Sequence, residues 1–139
     1  MSAQSDEDLD IQNVMNEMRQ VQQKSKAFIE GITCNDKLSQ NHIMLLMDLK
    51  LSGSMRITDI SERFFITAGA ATSMCDKLEE QNLICRIRTK EDRRVVMVEL
   101  TSIGEEKLKT IFKRFSSEKL RTIAGVLKQV NVLMSKIID

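Results

Sequence analysis

The residues best equipped for chemistry lie between Arg86 and Arg94. Arg86, Arg88, Lys90, Arg93 and Arg94 set five cations against Glu91 and Asp92, in a chain whose formal net charge is only +1. Guanidinium groups at the tip of a charged turn suit phosphate oxygens and the narrow, negative minor groove of duplex DNA. Asp92 opposes DNA binding by charge alone, and it fits only if its carboxylate holds a neighbouring guanidinium in a bidentate pair. Just upstream, "TAGAATSMCDKLEE" (Thr67 to Glu80) carries Ala71, Met74, Cys75 and Leu78 at helical spacing on one face. The opposite face offers Gly69, Ser73, Asp76 and Glu80, flanked by Ala68, Ala70, Thr72 and Lys77, so its first half is small and uncharged. Such a face can approach base edges and thymine methyls in a major groove, while the amide end of the helix attracts a phosphate. Gly69 inside it costs about 1 kcal/mol relative to Ala. A small-residue helix packed against a neighbouring element would carry the same pattern, and read alone the segment suits either role.

Other chemistry is poorly supplied. There is no nucleophile–base set, no glycine-rich phosphate loop and no metal cluster, so neither an enzyme nor a cofactor is expected. Cys34, Cys75 and Cys85 are odd in number and lack a CxxC spacing, which argues against a disulfide framework or a zinc ribbon. Cys75 falls on an apolar face. Cys34 falls in a loop and Cys85 beside Arg86, the open, cationic kind of setting a thiolate needs, so these two are the candidate redox residues. His42 is the one histidine, sits on an apolar segment and reads as a core residue rather than a metal ligand.

The elements that must position these residues read as helices and one hairpin. The chain has 139 residues, 29% charged and 42% hydrophobic, with no Pro, Trp or Tyr, and reads as a single mainly α domain over 1–139. Asp6, Glu7, Asp8 and Asp10 stand where a secretory segment would be cationic and apolar, and "HIMLLMDLKL" is too short to span a bilayer; a cytoplasmic protein without a membrane partner is expected. Ile11, Val14, Met15, Met18, Val21, Phe28, Ile29 and Ile32 make one stripe on a long helix. Leu120, Ile123, Leu127, Val130, Met134 and Ile137 advance in steps of three and four, a heptad-like seam. A small centre has little core left to cover both stripes, so they are expected to pair with a second copy. The expected interface is Ile11, Val14, Met18, Val21, Leu120, Ile123, Leu127, Val130, Met134 and Ile137, on helices at about 9–33 and 101–139.

Between them, Ser39 can cap an apolar helix to about Leu51, and Ser52, Gly53 and Ser54 break it. Ile57, Ile60 and Phe64 then share a face of a short helix with Thr58 as its cap. Thr67 caps the next helix, and Asn82 suits the left-handed exit from it. "LICRIR" and "VVMVEL" are β-rich runs around the polar "TKEDRR", a hairpin with a charged tip. Thr101 opens a further helix with Glu105 and Glu106 in its first turns. Helix, turn, helix and hairpin in that order is a DNA-reading arrangement.

From about Ser39 to Leu108 the chain resembles the winged helix-turn-helix of the MarR family of bacterial transcription regulators. The resemblance rests on the opening at Leu38 to Gln40, "L-E-E-x-x-L-I-x-R" from Leu78 to Arg86, "D-R-R" from Asp92 to Arg94 and "L-T-x-x-G" from Leu100 to Gly104. The terminal helices match in position and length only. The resemblance implies a mainly α fold with a small β-hairpin: a winged helix-turn-helix over about 39–100, flanked by long N- and C-terminal dimerisation helices. It implies a homodimeric regulator, a repressor, on a pseudo-palindromic operator in double-stranded DNA, under control of a small aromatic or anionic effector. The helix at 67–81 would enter the major groove and the wing at 86–98 the minor groove. Carried over position by position, Thr67, Ala68, Ala70, Thr72 and Ser73 are the major-groove residues. Arg94 is the minor-groove arginine, with Asp92 and Arg86 orienting it, and Lys77, Arg88, Lys90 and Arg93 add phosphate contacts. Asn82 stands where the family usually has Gly, and Ser73 where relatives often have a long cation, which leaves fewer charged base contacts. The alternative is a winged-helix protein-interaction module without direct DNA readout, which has no need to aim an arginine at a minor groove.

Overall fold

The computed structural model describes residues 5–34 and 36–138. In chain order the elements are α1 (Asp6–Thr33), α2 (Gln40–Ser52), β1 (Ser54–Arg56), α3 (Ile57–Phe64), α4 (Ala68–Glu80), β2 (Ile84–Arg88), β3 (Val96–Leu100), α5 (Ser102–Phe112) and α6 (Ser117–Ser135). Local sequence explains most of the helix starts. Ser5, Ser39, Thr67, Thr101 and Ser116 each accept the N–H three residues on, satisfying a donor the helix itself leaves unpaired. The start of α3 differs from expectation. Thr58 lies inside the helix, and Arg56 is the N-cap, its N–H donating to Asp59 Oδ2 at 2.9 Å.

The hairpin also gains a strand. β1 pairs antiparallel with β3, setting Ser54 opposite Glu99 and Arg56 opposite Met97, and β2 pairs with the other edge of β3 from Ile84–Leu100 to Arg88–Val96. The sheet order is β1-β3-β2. Gly53, at φ 89°, ends α2 and turns the chain into β1 at once, which only a residue without a Cβ does cheaply.

The core lies entirely between Leu38 and Leu108. Ile43, Leu45, Leu46 and Leu49 of α2 meet Ile60, Leu78, Ile84 and Val98, all at or near zero exposure. α5 belongs to this packing, because Gly104 and Leu108 are buried against it. A Cβ on Gly104 would stand 2.6 Å from Leu100 Cδ1 and closer still to the Leu83 carbonyl oxygen, so the glycine is what lets α5 lie on the wing's base. The other terminal elements bury little. Thr33 is the one buried residue of α1, and α6 has none among the described residues. Val14, Met18, Val21, Leu127 and Val130 stay exposed.

Candidate nucleic-acid interface

α4 turns its faces as its periodicity requires. Ala71, Cys75 and Leu78 are fully buried and Met74 nearly so, while Ala68, Gly69, Ala70, Thr72, Ser73 and Lys77 are exposed. A Cβ on Gly69 would meet only Thr67 Oγ1, at 3.9 Å. Among the described residues the small face therefore packs against no neighbouring element, and it stands open at the amino end of the helix. Thr67 spends its acceptor on the Ala70 N–H at 3.0 Å, which leaves the hydroxyl hydrogen free to donate outward. The helix ends in a left-handed residue, Asn82 at φ 61°, with the Leu83 N–H returning to the Leu78 carbonyl at 3.0 Å. That turn fixes where β2 begins relative to α4.

The wing tip is a built loop. Thr89 Oγ1 donates to the Asp92 carbonyl at 2.6 Å and accepts the Asp92 N–H at 3.1 Å. The Val95 N–H donates to the same carbonyl, and Arg88 Nη1 donates to the Arg93 carbonyl at 2.7 Å. On this frame Asp92 grips Arg94 three ways. Oδ1 accepts from the Arg94 backbone N–H at 3.0 Å and from Nε at 3.1 Å, and Oδ2 accepts from Nη2 at 3.2 Å. The side chain of Arg94 is nonetheless 92% exposed. Its hydrogen bond, with that of its own N–H, holds the Asp92 carboxyl below the usual carboxylate range. Lys90 and Arg93 are exposed beside it.

Arg86 does not join Asp92 in holding Arg94, contrary to the sequence expectation. On the pleat of β2 it shares a side with the buried Ile84, which turns it towards α4 rather than the tip. Its N–H and Nη1 donate to Glu79 at 3.1 and 3.2 Å, and Nη2 donates to the Thr72 carbonyl at 3.2 Å and to Asp76 Oδ1 at 2.6 Å. The Asp76 hydrogen bond, against the cost of burial, raises the guanidinium's already high pKa. One arginine thus ties the wing to α4 and pairs with two carboxylates on the carboxyl-terminal half of that helix. Asp76 and Glu79, three apart and ahead of a strand bearing a cation, were the legible signal for this clamp.

The remaining candidates divide. Burial pushes the Cys75 thiol up, and Cys85 is half-buried. Cys34 is exposed at the end of α1 and accepts from Arg114 Nη1 at 2.8 Å, while Nη2 of the same residue donates to the Gly31 and Ile32 carbonyls. Arg114, which closes the end of α1, carried no sequence signal. His42 is half-buried, and burial together with the Lys77 charge lowers its pKa. Among the described residues no group of three or more His, Cys, Asp or Glu is placed to hold a metal. The surface carries several grooves. One, of about 380 Å³, runs between Met47 and Leu51 of α2 and Leu108 and Phe112 of α5, with Lys50, Lys109 and Glu105 at its rim. A wider one, of about 1110 Å³, lies along the α1 stripe and reaches Met134 of α6 and Ile137 just beyond it. No helix among the described residues is long and apolar enough to cross a membrane.

Known proteins are similar to this chain in sequence and fold. The MarR family model matches residues 38–96. The HTH-type transcriptional regulator YpoP of Bacillus subtilis is 33% identical over 108 residues, covering 72% of this chain and 77% of that protein. The HTH-type transcriptional repressor MdtR of the same organism is 38% identical over 69 residues, 50% of this chain but only 44% of MdtR, so the match spans less than half of that relative. In structure, a mutant of MarR from E. coli complexed with operator DNA superposes with a TM-score of 0.59 at 19% identity, over 91% of this chain and 99% of that one.

Proposed function

Because this chain belongs to the MarR family, we propose that it is a transcription regulator, a repressor, that binds a pseudo-palindromic operator in double-stranded DNA as a homodimer. The observation that carries this reading is the Asp92–Arg94 pair: a guanidinium held in fixed orientation yet almost wholly open to solvent. Exposed ion pairs contribute little to stability, so the pair has small structural value and large value as a preorganised contact. A protein-interaction module leaves it without a use.

In this reading α4 lies in the major groove, with Thr67, Ala68, Ala70, Thr72 and Ser73 facing bases and phosphates. Arg94 enters the minor groove, and Lys77, Lys90 and Arg93 meet phosphates. Arg88 is mainly a brace for the loop that carries Arg94. The exposed stripes of α1 and α6 close on a second copy, and the two reading helices then meet half-sites about one helical turn apart, ~10 bp. The apolar α2–α5 groove, lined also by Lys109 and the Lys50–Glu105 ion pair, is assigned to a small aromatic or anionic effector. The chain acts in the cytoplasm and has no catalytic role.

Anisotropy titration of a duplex from the region upstream of the protein's own coding sequence tests the reading. Log affinity should fall linearly and steeply with log salt, since several phosphates per protomer are neutralised. A DNase footprint should show two protected half-sites. Affinity indifferent to salt, or no protection on any upstream duplex, would refute it.

A further inference from the structure

Phe65 is the most exposed of the large hydrophobic residues, at 95%, and it stands between the two helices of the helix-turn-helix. Its backbone is left-handed, φ 55° and ψ 45°. The Ile66 N–H returns to the Ser61 carbonyl at 3.0 Å and the Phe65 N–H to Glu62, so Phe65 fills the helix-ending position that usually goes to glycine. A bulky side chain is an outlier there, because its Cβ crowds the neighbouring carbonyl. Burial does not explain the choice, since the phenyl touches water on nearly every side. Nor does the turn, which a glycine or asparagine would make more easily. Phe64 before it and Ile66 after it pack against the core, so the loop needs no third apolar anchor.

The position is informative. Phe65 lies two positions before Thr67, the cap of α4, and its backbone is tied to α3 by hydrogen bonds, so the ring is presented from a rigid turn. It precedes, across Ile66, the exposed Thr67, Ala68 and Ala70 at the start of α4. Resting on the DNA-binding reading above, we propose that Phe65 is a further DNA-contacting residue, which lays its ring on the deoxyribose and base-methyl surface at the edge of the major groove, beside the bases met by α4. The ligand surface is apolar, like that which aromatic and small apolar side chains cover on thymine methyls and sugars. A rigid ring loses little side-chain freedom on contact.

The strain supplies a test in which stability and affinity move oppositely. Phe65→Gly removes the crowded Cβ, so the melting temperature of the dimer should rise or hold. Affinity for the operator duplex should nevertheless fall about tenfold, from two rings lost per dimer. Phe65→Asn, which also tolerates the left-handed turn, should behave likewise, and Phe65→Tyr should bind like the parent. Higher or equal stability with unchanged affinity in both Phe65→Gly and Phe65→Asn would overturn the proposal and hand the ring to a protein partner. Arg94→Ala, measured on the same duplex, separates the two levels. If it weakens binding while the Phe65 variants do not, only this proposal falls; if neither it nor they weaken binding, the DNA-binding reading falls as well.

Discussion

Removing Arg86 should loosen the wing from α4, and the cost follows from its contacts. The side chain is 25% exposed and reaches Asp76, Glu79 and the Thr72 carbonyl. A charge-assisted hydrogen bond between buried partners contributes roughly 1.5–3 kcal/mol. Asp76 and Glu79 are 55% and 41% exposed, however, so water screens both pairs and each contributes only about 0.5 kcal/mol. The bond to the Thr72 carbonyl adds about 1 kcal/mol. Arg86→Ala should therefore destabilise by about 2 kcal/mol, and Arg86→Lys by about half of that, since an ammonium on a flexible stem cannot serve acceptors in several directions as a planar fork does. Urea unfolding at pH 7, with parent and variant sharing one m-value, reads the difference directly. A loss below about 0.5 kcal/mol in Arg86→Ala would refute the clamp.

Gly104→Ala should cost about 2–3 kcal/mol or more, because the added methyl meets the backbone carbonyl of Leu83, which cannot step aside; a melting temperature equal to the parent's would contradict this. Asp36 is predicted to give an acid-labile contribution. Burial pushes its carboxyl up, but the hydrogen bonds from Lys107, 2.8 Å away, and from the Leu38 N–H outweigh it and bring the pKa below the ordinary 3.8. A carboxyl depressed in the folded state contributes fully above its unfolded pKa and loses that contribution as pH falls through the folded one. The stability gap between parent and Asp36→Asn should thus be complete at pH 7 and close below about pH 3.8; a gap that widens in acid would contradict the assignment. Replacing Leu127 and Val130 with glutamate should yield monomers or unfolded chains in sedimentation equilibrium, and a stable dimer of that variant would move the interface elsewhere.

Periodicity and capping chemistry made most of the fold readable. Ala71, Cys75 and Leu78 point inward because the helical period leaves them no other face, and Thr67 and Asn82 bracket α4 because a hydroxyl cap and a left-handed exit are local demands. What escaped was non-local. β1 is three residues long, and nothing within Ser54–Arg56 reveals that Met55 will pair with Val98 more than forty positions away. Thr58 lost the role of cap for a related reason: pairing with β3 holds Arg56 extended, and the helix starts as soon as β1 ends. Asp92 and Arg94 were readable as a pair because they are two residues apart. Arg86 was misassigned because its partners on α4 are chosen by the pleat of β2, which a string of cations does not display. Arg114 reaches the end of α1 from more than eighty residues away, and no local pattern marks such a contact.

The orientation of Arg94 by Asp92 is where the account is most exposed to a single experiment. On the proposed placement of Arg94 in the minor groove, Arg94→Ala should cost on the order of 1–3 kcal/mol per half-site, the loss of one oriented arginine from each. A count of charges predicts that Asp92→Ala, by removing an anion next to phosphate, binds DNA more tightly. Orientation predicts the reverse, because the freed guanidinium samples many rotamers and must be ordered on binding. Anisotropy titration of Asp92→Ala against the parent on one operator duplex at one salt concentration decides between them: weaker binding is the predicted result, and tighter binding would contradict the minor-groove assignment.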